Sequence, residues 1–306
     1  MRNGVAGAAT AMFCVGTLAA VSGLIKDYPL YGGQTVRYLA AALILLAVTR
    51  AMGLRFVRLT AREWLLLAAL ALTGLAFFNL CVVESARASG PALVGTVLGT
   101  VPLALALAGG RPAPRTLAGA VVVVAGATLA TGLGSGNLPG LLWALGALAG
   151  EVAFSMLALP LLPKLGAIRV STYATILATP ILAVIGLVAE GPAMFRLPTL
   201  PETLGLAYLA TVVTVGAFLL WYTSLPRLGP GRAGLFAGLI PVGAIVTGLV
   251  LGIATPSSYD LLGAALVIAG IVIGLSARTS PAVRPAPRPG TPPAPPRTAA
   301  RSHHPR

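Results

Sequence analysis

Of the seven acidic side chains in this chain, one sits where a charge is hardest to keep: Glu151, within the apolar run LLWALGALAGEVAFSML. An ionised group at the centre of a membrane helix costs about 2.5–3.5 kcal/mol or more, so such a residue faces a bundle interior or a wet cavity. At helical spacing it shares a stripe with Trp143, Ala147 and Ser155. Two roles suit it. In the preferred one it holds a cationic group of a solute or exchanges a proton. In the other it is protonated and hydrogen-bonds neighbouring helices together. Glu84 ends a second stripe, Thr73, Phe77, Leu80, Glu84, and either lines the mouth of a cavity or is solvated. Asn79, on another face, reads as an interhelical hydrogen-bond donor. A third stripe carries Tyr208, Thr211, Val215, Phe218 and Tyr222. It reads first as packing and second as cavity wall, with Trp221 and Tyr222 also suited to an interfacial aromatic belt. Arg37 has three readings: steering a carboxylate, pairing with Glu84, or snorkelling to headgroups.

Enzyme patterns are missing. The sequence has no phosphate-binding Walker loop and no HExxH, its two histidines, His303 and His304, lie in the C-terminal tail, and Cys14 and Cys81 fall in apolar runs as small hydrophobes. No catalytic residue, metal or cofactor is expected.

The elements that position these side chains follow from composition. Apolar residues make up 57% of the chain and charged ones 9%, against roughly 25% charged in soluble domains. Such a chain cannot cover its own surface in water, and lipid is the solvent that suits it. A helix needs about 20 mostly apolar residues to span a bilayer. Charge, Pro and Gly cut the sequence into ten such runs: 4–25, 34–50, 63–83, 90–109, 116–134, 138–159, 170–189, 203–222, 231–253 and 260–276. Gly134, Gly136 and Pro139 separate the fifth run from the sixth. The first is long enough to span and reads as a helix, not a cleaved signal.

Net charge is +14, which in a soluble protein would suggest nucleic acid. Here the basic residues cluster between apolar runs, so no nucleic-acid partner is expected. With the N-terminus in the cytoplasm, 17 of the 21 basic residues fall in inside loops or the tail, leaving Lys26, Arg37, Arg87 and Arg196 outside. That bias predicts cytoplasmic N- and C-termini. Residues 277–306, rich in Pro and Arg, cannot bury a core and read as a disordered cytoplasmic tail. The expected partners are the lipid bilayer and a small-molecule substrate, with a homodimer compatible with the pattern.

The chain also repeats itself. Shifted by 139 positions, Ser85, Gly90, Pro91, Gly95, Gly99 and Pro102 meet Ser224, Gly229, Pro230, Gly234, Gly238 and Pro241. After a five-residue slip, Gly119 meets Gly263 and Gly126 meets Gly270. The repeat pairs runs four and five with nine and ten, so each half holds five. Five being odd, the halves insert in opposite directions. The expected fold is an all-α membrane protein with ten transmembrane helices as a five-plus-five inverted repeat. Its units are residues 1–135, residues 136–276 and the tail 277–306. Inverted repeats of this kind are an architecture of secondary transporters, with the site near the midplane. Pro102 and Pro241 are expected to kink their helices as hinges, and Gly95, Gly99, Gly234 and Gly238 to pack helices closely.

The paired segments SARASGPALVGTVLGTVP and SLPRLGPGRAGLFAGLIP, with QTVRYLAAALILL opening the second span, resemble the EamA-like ten-helix group of the drug/metabolite transporter superfamily over residues 4–276. The resemblance implies a central cavity built by spans one, three, four, six, eight and nine, alternating access, and export of amino acids or similar small metabolites across the plasma membrane. It departs from the group at one point. Where members often carry a Glu after spans four and nine, this sequence reads ALAGGRP and VLGIATP. The rival readings are a membrane-embedded lipid-modifying enzyme and a non-transporting membrane scaffold.

Overall fold

The computed structural model describes residues 2–89, 91–132, 137–252 and 255–276, all of its regular elements helical. The expectations for the tail 277–306 and for Gly134 and Gly136 lie outside the described residues. Ten helical elements follow the ten apolar runs: α1 (Arg2–Leu24), α2 (Leu30–Ala51), α3 (Ala61–Ser89), α4 (Pro91–Leu98 and Val101–Ala108), α5 (Pro114–Thr131), α6 (Leu138–Met156), α7 (Leu162–Glu190), α8 (Leu200–Leu228), α9 (Pro230–Val250) and α10 (Ser258–Leu275). Nine of them are long and apolar enough to cross a membrane, and α4 is a shorter, broken helix.

Where the helices depart from regularity, backbone chemistry explains it. The α7 helix begins eight residues before its apolar run, but Gly166 (φ 70°) separates a first short turn from the helix proper, a left-handed conformation that Gly adopts without a Cβ penalty. The seventh and eighth helices are joined by a 3₁₀ turn, Gly191–Phe195. In α4 the helix stops at Leu98 and restarts at Val101. In α9 a 3₁₀ stretch, Leu235–Gly238, precedes the last segment, Leu239–Val250. Pro102 and Pro241 are therefore the second and third residues of new segments, where the missing N–H costs nothing, and the discontinuity lies just before each proline.

Two π-helical stretches, Leu70–Phe77 in α3 and Leu209–Gly216 in α8, occupy positions 139 residues apart. The same offset relates the capping boxes that open these helices, Thr60 with Glu63 and Thr199 with Glu202, and the ends of the helices at Ser89 and Leu228.

Small residues carry the packing, as expected where lipid supplies no hydrophobic drive between helices. Between α5 and α10 a Cβ on Gly126 would lie 2.7 Å from the Gly263 carbonyl oxygen, and one on Gly119 would lie 2.6 Å from that of Gly270. The residues that correspond in the repeat thus meet crosswise. Gly74 of α3 abuts Phe154 of α6, and Gly16 of α1 abuts Gly243 of α9. Several buried threonines bond to carbonyls of their own helix, as Thr49 does to Leu45 (2.7 Å) and Thr175 to Ser171 (2.8 Å), which satisfies those hydroxyls without water.

The two ends of the bundle differ. At one, called the Arg55 end, Arg169 Nε donates to the Arg55 carbonyl (3.0 Å) and Lys164 pairs with Glu63 (2.7 Å). At the other, the Asp27 end, Arg196 pairs with Glu202 and donates to the Asp27 carbonyl, while Tyr28 donates to the Arg196 carbonyl (2.8 Å).

Candidate functional site

The middle of the bundle holds a cluster of polar and aromatic side chains between α2, α3, α6 and α8. Gly150 of α6 packs on Thr73 and Phe78, near the middle of α3, so Glu151 sits at mid-bundle height. Among the described residues its carboxylate has no hydrogen-bond or ion-pair partner, and the residue is only partly buried. Its electrostatic neighbour is Tyr222, which also feels Tyr38. Tyr38, 3% exposed, accepts from Asn79 Nδ2 (3.3 Å). A carboxylate without a partner, beside the Tyr222 phenol, can take an ammonium group or a proton.

One turn on from Glu151 the α6–α8 contact closes. Trp221 Nε1 donates to Ser155 Oγ (3.1 Å), and Tyr222 donates to the Phe154 carbonyl (3.3 Å). Phe154 stacks on Tyr222 and tilts against Phe218, with ring centroids 4.9 and 4.8 Å apart. Trp221 and Tyr222 are each 1% exposed, so the expected aromatic belt is not where they lie. Sequence pattern alone could not see this, because the π-turn of α8 inserts an extra residue and re-aims everything after it. The expected stripe is split there: Thr211 is exposed, whereas Val215, Phe218 and Tyr222 are buried.

Of the residues singled out by spacing, Glu151, Ser155 and Phe218 come together here. Trp143 packs toward Cys81, Ala147 and Val94 between α6, α3 and α4. Phe77, 39% exposed, lies beside Gly146 at the α3–α6 contact. Glu84 is elsewhere, at the Asp27 end, where it accepts from the Tyr31 hydroxyl (3.0 Å) and pairs with Arg87 (2.8 Å). It does not pair with Arg37. That arginine is 5% exposed and donates from Nε to Thr214 Oγ1 (2.7 Å), so it neither snorkels nor meets an acid. Sequence reading missed Tyr38 as a polar partner and the burial of Arg37. An arginine with no carboxylate at helical spacing was the available signal for the second.

The broken helices border this region unequally. The segment Val101–Ala108 packs on the start of α9: a Cβ on Gly109 would lie 2.6 Å from Pro230 Cγ, and one on Gly234 2.9 Å from Leu105 Cβ. At the opposite end, Pro91–Leu98 and Leu239–Val250 have no comparable contact among the described residues. Gly238 fits against Val123 and Val267, while Gly99 and Gly95 have looser surroundings, with nearest neighbouring-helix atoms at 3.4 Å (Ala127 Cβ) and 3.6 Å (Thr131 Cγ2). Among the described residues no group of three or more His, Cys, Asp or Glu could hold a metal ion.

Known proteins match this chain on both sequence and fold. Residues 138–275 match the EamA-like transporter family. An uncharacterized transporter of Bacillus subtilis, YetK, is 25% identical over 288 residues, covering 89% of this chain and 87% of its own length. A solved crystal structure superposes with a TM-score of 0.76 at 21% identity, over 89% of this chain and 96% of the other.

Proposed function

We propose a specific activity for this chain from the match of residues 138–275 to the EamA-like transporter family and its likeness to a Bacillus subtilis transporter. It is a secondary transporter that exports a small amphipathic metabolite, an amino acid or similar solute, across the plasma membrane by alternating access. The observation that carries this reading is Glu151: a carboxylate at mid-bundle height, beside Tyr222, with no hydrogen-bond or ion-pair partner among the described residues. Its role is to hold the ammonium group of the solute or to exchange the proton that drives transport.

The inverted repeat is the premise for alternating access. It draws support from the crosswise meeting of Gly119 with Gly270 and Gly126 with Gly263, which is what a twofold axis requires of equivalent residues. The matched π-turns and capping boxes of α3 and α8 support it too. Contact between α4 and α9 at the Arg55 end alone fits a state closed at that end and open at the other. Cytoplasmic termini put the Arg55 end inside, in line with the clustering of basic residues there.

The test is Glu151→Gln in proteoliposomes. The variant is expected to insert and purify like the parent and to lose counterflow of radiolabelled amino acids. Unchanged counterflow refutes the role of Glu151.

A further inference from the structure

A cavity of about 370 Å³ opens at the Asp27 end, between the α1–α2 turn, α2, and the ends of α3, α7 and α8. That is within the range of small-molecule pockets. We infer that this cavity is an anion site in which Arg37 binds the carboxylate of an amphipathic solute. Calling the anion a transported solute rests on the transporter reading; the site itself does not.

Charge is the first argument. Lys26, Arg37, Arg87 and Glu190 all line the cavity. Glu190 is committed elsewhere: its two oxygens accept from the backbone N–H groups of Tyr31 (2.9 Å) and Gly32 (2.8 Å), which closes the N-terminus of α2. Arg87 is paired with Glu84. Lys26 and Arg37 pair with no acid among the described residues. With Arg87 balanced by Glu84, the cavity keeps a net positive charge from Lys26 and Arg37 against the single carboxylate of Glu190, and Arg37, the buried cation of the two, has no ion-pair partner among the described residues.

Geometry is the second. Arg37 is the eighth residue of α2, about 10 Å along the helix at 1.5 Å per residue. Its Nε is held by Thr214, and its Nη1 reaches Gln34 only at 3.4 Å. Nη2 makes no hydrogen bond among the described residues, yet it is not one of the sealed, unsatisfied buried atoms. The guanidinium is thus anchored at one edge and turns the other to the cavity. Thr214 itself bonds back five residues, to Leu209 (2.9 Å), inside the π-turn of α8.

Pinning that π-turn requires one donor, which an uncharged side chain would supply. A planar fork with two free N–H directions suits a carboxylate instead. Ile25, Leu206 and Leu209 also line the cavity, which favours an anion with an apolar body over inorganic phosphate. Arg37 adjoins Tyr38, which borders the Glu151 cluster, so the site lies between the Asp27 end and the chamber.

The test uses the full chain in lipid nanodiscs. Arg37 is modified with phenylglyoxal and quantified by peptide mass spectrometry, with leucine, phenylalanine or benzoate present, each against its own amide, and with inorganic phosphate as a further arm. At least one acid is expected to slow modification of Arg37 several-fold more than its amide or phosphate does. Equal protection by acid and amide, protection by phosphate alone, or no reaction at Arg37 while Arg87 reacts overturns the proposal. Arg37→Gln keeps a donor for Thr214. It is expected to melt like the parent and to bind the protecting acid at least tenfold more weakly by calorimetry. If that variant fails to fold, the protection experiment on the parent still decides. Protection without counterflow would sink the transporter reading and leave the site standing, and the reverse would sink the site alone.

Discussion

Replacing Gly126 by Ala probes the α5–α10 contact, where the argument from packing is most quantitative. The added Cβ would sit 2.7 Å from the Gly263 carbonyl oxygen, 2.8 Å from the Val267 nitrogen and 2.9 Å from Leu266 Cβ, whereas ordinary contact begins near 3.4 Å. Two of these are backbone atoms of a packed helix, so no side chain can swing aside. The helices must part by about 0.7 Å, the difference between 3.4 and 2.7 Å. A gap of that size forfeits a quarter to a half of the dispersion energy of the facing atoms, and dispersion is most of what holds membrane helices together. Overpacking of this kind costs about 1–3 kcal/mol. At roughly 2–4 °C per kcal/mol for a chain of this class, the expected loss in melting temperature is about 2–12 °C. Gly270→Ala, at the position that aligns with Gly126 in the sequence and whose Cβ would lie 2.7 Å from the Val123 nitrogen, should fall by a similar amount. Gly95→Ala is the control, since its Cβ meets only Thr131 at 3.6 Å and 3.7 Å; helix propensity predicts no loss there. Melting followed by thiol-reactive dye or by size-exclusion recovery in detergent reads all three. If Gly126→Ala and Gly95→Ala melt together, the close contact between α5 and α10 is wrong.

Other outcomes follow from the same structure. Ser155→Ala leaves the buried indole N–H of Trp221 without its acceptor, a loss of about 1–3 kcal/mol; an unchanged melting temperature would mean that this hydrogen bond is not formed. Deleting residues 277–306 is expected to leave counterflow intact, because all ten helical elements among the described residues precede the cut. A scaffold would lose its function instead. Trypsin should remove the same tail from inside-out vesicles and spare it in right-side-out ones, and the opposite result reverses the proposed orientation.

The sequence by itself determined the solvent and the run of apolar helices of this chain. Low charge and long apolar runs leave no other way to satisfy backbone and surface, and the 139-residue offset at which Gly and Pro recur is the one that relates the π-helical stretches and capping boxes of α3 and α8. It also singled out Glu151, because a charge within an apolar run announces itself. Only the tertiary structure decided where the side chains on α8 point. The π-turn at Leu209–Gly216 shifts the helical phase, which no fixed period of 3.6 anticipates, and Trp221 and Tyr222, which the sequence also suited to an interfacial belt, are buried beyond it. The same holds for Arg37. Its partner, Thr214, is 177 residues away, and its want of an acid is a property of how α2 meets α8. Helix existence is written in local composition, whereas the partner of a buried polar group is chosen by packing between segments distant in the chain.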